Sequence, residues 1–212
     1  MEKGKVNLIG ISGKMGSGKD TAAMLIKRIL SNKELTDNTI AHLVKNPNGT
    51  VQDNSGWQIK KFSTKLKEVV AVLTGAPVEK LDDQNFKKHM IGEHWDMTFR
   101  ELMQKIGTEA MRNVINQDVW VNSLFDSHDE YKTYGEFRKW IITDVRFKNE
   151  AAAIKSRKGI ILRIENDRCD KSDHTSETEL DNFSFDYTID NNSSIEDLAI
   201  EIRKFCEHFK LI

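Results

Sequence analysis

Three glycines, two lysines and a threonine are crowded into one short stretch near the amino end, Gly13-Lys14-Met15-Gly16-Ser17-Gly18-Lys19-Asp20-Thr21. Glycines at this spacing let the backbone curl until several N–H groups point at one anion. Where a helix begins as the curl ends, the positive end of its dipole adds to the same attraction. Lys19 can then reach the outer phosphates of a nucleoside triphosphate, and Thr21 can hydrogen-bond an inner one. The chemistry this points to is binding of a triphosphate. The usual pattern sets Ser or Thr directly after the lysine, to hold Mg²⁺. Asp20 stands there instead. A carboxylate beside phosphates repels them unless it faces the metal, the metal's water, or away from the site. The ion is therefore expected to be held differently here.

Asp144-Val145-Arg146 follows the apolar run Trp140-Ile141-Ile142-Thr143. In open parallel sheets ligands sit beyond the carboxyl ends of strands. Asp144 could orient Mg²⁺ or its water and Arg146 could clamp a phosphate; a strand-end salt bridge is the plainer alternative. Arg100, Gln104, Thr108 and Arg112 recur every four residues, which on a helix makes a slowly turning polar stripe. An arginine and an amide one turn apart suit phosphate or base-edge recognition; an ordinary solvated face is the alternative. Gly107 within the stripe calls for a close neighbour, since glycine costs a helix about 1 kcal/mol relative to alanine. Trp120 could stack on a base or fill the core. His89 and His94, near Asp82, Asp83, Glu93 and Asp96, suit a solvated face better than a metal site. Arg168, Lys171 and His174 enter the site if their polar segment closes as a lid.

The elements that must position these groups can be read from periodicity and turn chemistry. The apolar run 6–11 predicts a buried strand and 22–30 a helix, the strand–turn–helix context the loop needs. Weak strands at 39–44 and 50–52, joined by Asn46-Pro47-Asn48-Gly49, predict a hairpin insertion over 36–56. Asp53-Asn54-Ser55-Gly56 fits a D-x-x-G pattern but reads as a turn. A strand follows at 57–62. Ser63 or Thr64 can cap a helix over 65–73, which Gly75 and Pro77 end. A short helix and a loop fill 78–93. Thr98 with Glu101 is a capping box, opening a long helix to about residue 115. Then come a helix over 118–127, a polar loop over 128–138, and a strand at 140–143 with a helix to about 156. A strand at 159–164, a lid-like stretch over about 165–180, a strand at 187–191 and a helix over 193–209 capped by Ser194 complete the chain.

With 212 residues the chain can build one sizeable α/β core with an insertion or lid. Lys+Arg and Asp+Glu nearly cancel, at 32 and 33, for a net charge of −1. That argues against a nucleic-acid coat or a membrane-surface protein, where basic excess is expected. Cys169 and Cys206 are the only cysteines, and two reduced thiols are expected rather than a disulfide framework. No apolar run approaches membrane-spanning length. The first residues lead into a strand without a signal-peptide layout, so a cytoplasmic protein is expected.

Taken in order, the 13–21 loop, 100–108 (Arg-Glu-Leu-Met-Gln-Lys-Ile-Gly-Thr), Asp118-Val119-Trp120-Val121, 143–150 (Thr-Asp-Val-Arg-Phe-Lys-Asn-Glu), Asp173-His174-Thr175-Ser176-Glu177 and 186–197 make the chain resemble the deoxynucleoside monophosphate kinases of tailed bacteriophages. Gly18-Lys19-Asp20-Thr21 is likewise similar to the Gly-Lys-Gly-Thr ending of adenylate-kinase-like nucleotide kinases. The resemblance implies a single P-loop kinase domain over 1–212, in three α/β/α layers around a mostly parallel sheet. It implies ATP and Mg²⁺ as the donor system and a deoxynucleoside 5′-monophosphate as acceptor, in the host cytoplasm if phage-encoded. On this resemblance Gly13, Gly16, Ser17, Gly18, Lys19, Asp20 and Thr21 hold ATP, with Glu177 and its neighbours covering it. Lys14, Met15, Arg100, Gln104, Thr108, Trp120, Asp144 and Arg146 are the acceptor candidates. Lys19, Asp144 and Arg146 are the catalytic candidates, and Asp20 and Asp144 the metal candidates. Small nucleotides are the expected partners; a homodimer is left open. The rivals are another small-molecule P-loop kinase, acting on phosphomevalonate or dephospho-coenzyme A, and a non-catalytic nucleotide-binding module.

Overall fold

A computed structural model describes residues 6–31, 54–132, 138–169 and 174–212. Most of the expected 36–56 hairpin lies outside the described residues, as do 133–137 and Lys171. The chain divides into two compact units, Met1–Lys60 with Tyr131–Ile212, and Lys61–Glu130.

The first unit is built on β1 (Leu8–Ser12), in which all five residues are buried. An unbroken apolar run is what a strand covered on both faces requires. Beside it lie β2 (Trp57–Lys60), β3 (Lys139–Val145), β4 (Ile160–Glu165) and β5 (Tyr187–Asp190), in the order β2-β3-β1-β4-β5. Every pairing is parallel: Leu8 lies opposite Trp140, Ile9 opposite Ile160, Trp57 opposite Lys139 and Leu162 opposite Tyr187. The mostly parallel sheet expected from the sequence is thus five strands, all parallel, among the described residues. On one face, Ile9, Ile11, Leu162 and Ile164 pack with Ala22, Ile26 and Ile29 of α1 (Lys19–Ser31) and with helix residues Leu198, Ile202 and Phe205. On the other, Ile154 comes so near β1 that a Cβ on Gly10 would stand 2.7 Å from its Cδ1.

In the second unit α2 (Thr64–Thr74) ends at Gly75, which takes the left-handed conformation with φ 72° and donates to the Ala71 carbonyl. The expected short helix and loop over 78–93 is two single turns, Val78–Asp82 and Phe86–Lys88. Their acidic residues serve the fold: Asp82 pairs with the buried Lys67 at 2.6 Å, and Asp83 accepts the amides of Asn85 and Phe86. Val70, Leu81, Phe99 and Leu102 form the core of this unit.

The predicted helix from Thr98 to about residue 115 forms, with its capping box, but it changes pitch. Phe99–Gln104 (α3) is α-helical, and Lys105–Ile115 winds in wider turns in which an N–H reaches five residues back. Asn116 N to Met111 O at 2.9 Å closes the last of them. Two contacts bear on this stretch. Trp120 Nε1 donates to the Gly107 carbonyl at 2.9 Å, and a Cβ on Gly107 would stand 2.9 Å from Leu66 Cδ2. A side chain that engages a helical carbonyl disturbs the regular ladder.

The next helix, α4 (Val119–Lys132), runs past the predicted end near 127. Val121, Phe125 and His128 continue its buried side, and the His128 ring meets Phe125 edge-on at 5.7 Å. The rest follow the expected order: α5 (Lys148–Ser156), a single turn α6 (Thr175–Thr178) inside the expected polar segment, and α7 (Ile195–His208). Cys169 and Cys206 form no disulfide. Among the described residues no helix is long and apolar enough to cross a membrane.

Ser194 caps α7 as expected: its Oγ accepts from Asp197 N at 3.1 Å, and Asp197 Oδ2 accepts from Ser194 N at 3.2 Å. Ser194→Ala should lower stability by about 1 kcal/mol. Urea unfolding reads this as a lower midpoint at unchanged slope, and an unmoved midpoint would remove the cap from the account.

Candidate functional site

The carboxyl end of β1 enters the curl directly. Gly16 and Gly18 take φ +82° and +97°, a region that costs any other residue strain. At Gly18 a side chain is also shut out, because a Cβ would lie 2.5 Å from Asn191 Nδ2. That Asn191 amide, just beyond β5, donates to the Ser17 carbonyl at 2.9 Å and ties the loop to the far edge of the sheet. Ser17 is fully buried, and its Oγ has no hydrogen-bond partner. Buried hydroxyls are nearly always paired, so an orphan inside a glycine cradle fits a loop shaped to receive acceptor oxygens.

Lys19, the first residue of α1, is only 9% exposed. Its ammonium donates to the carbonyls of Gly13 at 2.7 Å and Lys14 at 2.5 Å. Burial pushes its pKa from 10.5 down to about 8, and the positive charge of Arg146 pushes the same way. The carboxylates of Asp20 and Asp144 partly offset this. The sequence candidates Asp20, Asp144 and Arg146 therefore all act electrostatically on Lys19.

Arg146 follows the end of β3, where the buried Glu150 fixes the backbone by accepting the amides of Arg146 at 2.8 Å and Phe147 at 3.1 Å. The Arg146 guanidinium forms an ion pair with Glu177 of α6. Glu177 in turn accepts the Met15 amide at 3.0 Å, and its carbonyl accepts Lys14 Nζ at 2.6 Å. The structure thus joins Lys14, Met15, Arg146 and Glu177 in one set of contacts against the loop.

Among the described residues no group of three or more His, Cys, Asp or Glu side chains could hold a metal by itself. Mg²⁺ does not need such a cage, because it keeps several waters and binds through one or two carboxylates and phosphate oxygens. Asp20 and Asp144 are the two carboxylates that act on Lys19.

Arg100, Gln104, Thr108 and Trp120 belong to the second unit. Arg100 donates to Gln84 Oε1 at 2.9 Å; Gln104 and Thr108 are half-buried. Trp120 is 5% exposed, its indole N–H held by Gly107 as described above. Arg112, the last of the four-residue stripe, is buried and donates to the Gln117 carbonyl.

Three residues at the site were not singled out from the sequence. Arg163, 7% exposed, donates to Ser12 Oγ at 3.2 Å and lies 5.2 Å from the Phe185 ring centre. Asp181 sits 2.6 Å from Lys14 and 3.7 Å from Arg163. Asn191 is the third. A legible signal existed for Arg163 alone: a charge in the apolar run Ile160-Ile161-Leu162-Arg163-Ile164 must be paired if buried.

Residues 54–202 match the family model described as Deoxynucleotide monophosphate kinase. The match begins after the 13–21 loop. A protein of Acanthamoeba polyphaga mimivirus, named "Putative deoxynucleotide monophosphate kinase", is 28% identical over 211 residues, covering 92% of this chain and 93% of its own length. That relative comes from a giant virus rather than a bacteriophage.

The depressed Lys19 pKa fixes a pH dependence of stability. Between about pH 8 and 10.5 the unfolded chain holds a proton at Lys19 that the folded chain has lost, so stability rises with pH across that window. Below pH 8 the cost of the buried charge is present in full. The stability of the wild type relative to Lys19→Met should therefore increase from pH 8 to 10.5, by on the order of 3 kcal/mol at most. Parallel denaturant titrations at several pH values read the difference; a flat or falling trend would contradict the buried-charge account.

Proposed function

The chain belongs to the deoxynucleotide monophosphate kinase family, and from that premise we propose how its residues carry out the transfer. Membership makes it a phosphotransferase that converts deoxynucleoside monophosphates to diphosphates. In the proposed reaction ATP is the donor: an oxygen of the acceptor phosphate forms a bond to the γ-phosphorus as the bridge to ADP breaks, giving a deoxynucleoside diphosphate and ADP. The acceptor phosphate is already an adequate nucleophile near neutral pH, so no general-base triad is needed; positioning and charge neutralisation do the catalysis.

The observation that carries this reading is the buried Lys19 with Arg146 acting on it. Arg146 disfavours the charge on Lys19 in the protein alone, and a polyanion between the two cations relieves that cost. In this proposal Gly13, Gly16, Ser17, Gly18, Lys19, Asp20 and Thr21 hold ATP. The Lys19 ammonium leaves the Gly13 and Lys14 carbonyls for the outer phosphates, and Ser17 Oγ gains a partner. Lys14 and Met15 border the acceptor. Lys19 and Arg146 share the charge on the transferred group. Mg²⁺, with Asp144 and Asp20 as its holders, would add to that neutralisation when bound. Arg100, Gln104 and Thr108 are proposed to bind the acceptor, a role their four-residue spacing supports. Trp120 serves them indirectly by fixing the helix through Gly107. Such an enzyme works on the cytoplasmic nucleotide pool, which is the proposed location.

Coupled measurement of ADP release with ATP and each deoxynucleoside and ribonucleoside monophosphate tests the reading. The deoxynucleotides should be turned over. Lys19→Ala should remain folded and lose about 100-fold or more in kcat. Turnover near the wild-type rate in that variant would remove Lys19 from the mechanism. ATP at 100 times its Kd should stabilise the wild type by about 2.7 kcal/mol.

A further inference from the structure

Glu177 is placed where a nucleotide-contacting residue would be expected, but its contacts describe a different task. Its side chain is 10% exposed. One carboxylate oxygen, Oε2, accepts the Met15 amide at 3.0 Å, and the other, Oε1, meets the Arg146 guanidinium. A carboxylate offers acceptors only, and it repels phosphate unless a cation or donor lies between them. Both of its oxygens are already engaged by the protein. The residue is held from behind as well. His174 Nδ1 accepts the Ser176 amide at 3.2 Å, opening the single turn that carries Glu177. The Glu177 carbonyl accepts Lys14 Nζ, which also pairs with Asp181 at 2.6 Å.

Arginine is a long side chain with many rotamers, and a flexible guanidinium must be ordered before it can stabilise charge in transfer. Arg146 is fixed at its backbone by Glu150 and at its tip by Glu177. The Met15 amide anchors the carboxylate to the loop, so the position of the guanidinium is referred to the loop itself.

We propose that Glu177 is a positioning residue that holds Arg146 in register with the 13–18 loop, through a carboxylate shared between the Met15 amide and the guanidinium. It acts through Arg146 and not on the nucleotide. The inference rests on the reading that Arg146 acts on the transferred phosphoryl group.

The test is a kinetic cycle of Glu177→Gln, Arg146→Lys and the double variant, on the full chain with saturating ATP and the best deoxynucleoside monophosphate. Glutamine keeps an oxygen for the Met15 amide and discards the charge that holds the arginine. Glu177→Gln should lower kcat by about 10- to 100-fold, the scale of a misplaced catalytic group, with both KM values within about threefold of wild type. In the Arg146→Lys background the same change should cost almost nothing further. Glu177→Asp retains the charge but draws it back by one methylene; it should fall in kcat alone and carries the test if the glutamine variant does not fold. Independent, multiplicative losses in the double variant would overturn the proposal, as would a change confined to the KM for ATP, which would mark direct nucleotide contact. Wild-type kcat in Arg146→Lys would overturn it too. Absence of ADP release from the wild type with every monophosphate is a different result, and it would defeat the functional reading itself.

Discussion

One ammonium group, buried among backbone carbonyls, sets the terms for the first unit. Lys19 sits at the start of α1 with its charge turned into the curl, where two carbonyl oxygens receive it. Burial and a nearby arginine both work against that charge. A protein tolerates such a position only where the surrounding structure over-determines it. Here the surroundings are a fully buried central strand, glycines that admit the curl, and a helix packed through Ala22, Ile26 and Ile29 onto the sheet. The same features that make the lysine's charge unfavourable underlie its proposed response to a polyanion.

Around the lysine the protein arranges charge in pairs that bridge elements distant in the chain. Lys14 meets Asp181, Asp181 faces Arg163, and Arg163 reaches back to Ser12 at the end of β1. The partly exposed Lys14–Asp181 pair contributes little stability by itself. The value of these contacts is geometric: they set the 177–181 segment against the loop from one side, while Asn191 holds it from the other. The second unit has its own core around Val70, Leu81, Phe99 and Leu102, and the helix carrying Arg100, Gln104 and Thr108 is shaped there by Gly107, Leu66 and Trp120.

Much of the scaffold was legible in the sequence because it depends on local pattern. Buried parallel strands must be apolar on both faces, and the runs through Ile9, Ile141 and Ile161 show it. The glycine loop and the caps at Thr98 and Ser194 announce themselves by spacing. What was not legible depends on contacts between remote residues. The resemblance places Glu177 over the nucleotide, and nothing in Thr175-Ser176-Glu177 reveals that its carboxylate lies on Met15 and Arg146. The wider turns after Gln104, within which Gly107 lies beside Leu66 and accepts the Trp120 indole N–H, have no signature in a pattern of apolar positions. The polar pattern of Ser127, Asp129 and Glu130 suggests an early end for α4, yet His128 between them is buried against Phe125 and the helix continues.

The central place of β1 has a consequence for how the chain acquires its shape. Its neighbours are β3 and β4, so Leu8 must await Trp140 and Ile9 must await Ile160. Closing such distant pairings costs chain entropy before any contact repays it, which makes folding slow. During synthesis β1 emerges before either of its neighbours, and one of its edges stays unpaired until β4 has been made. The glycine curl therefore matures late, although it is encoded early.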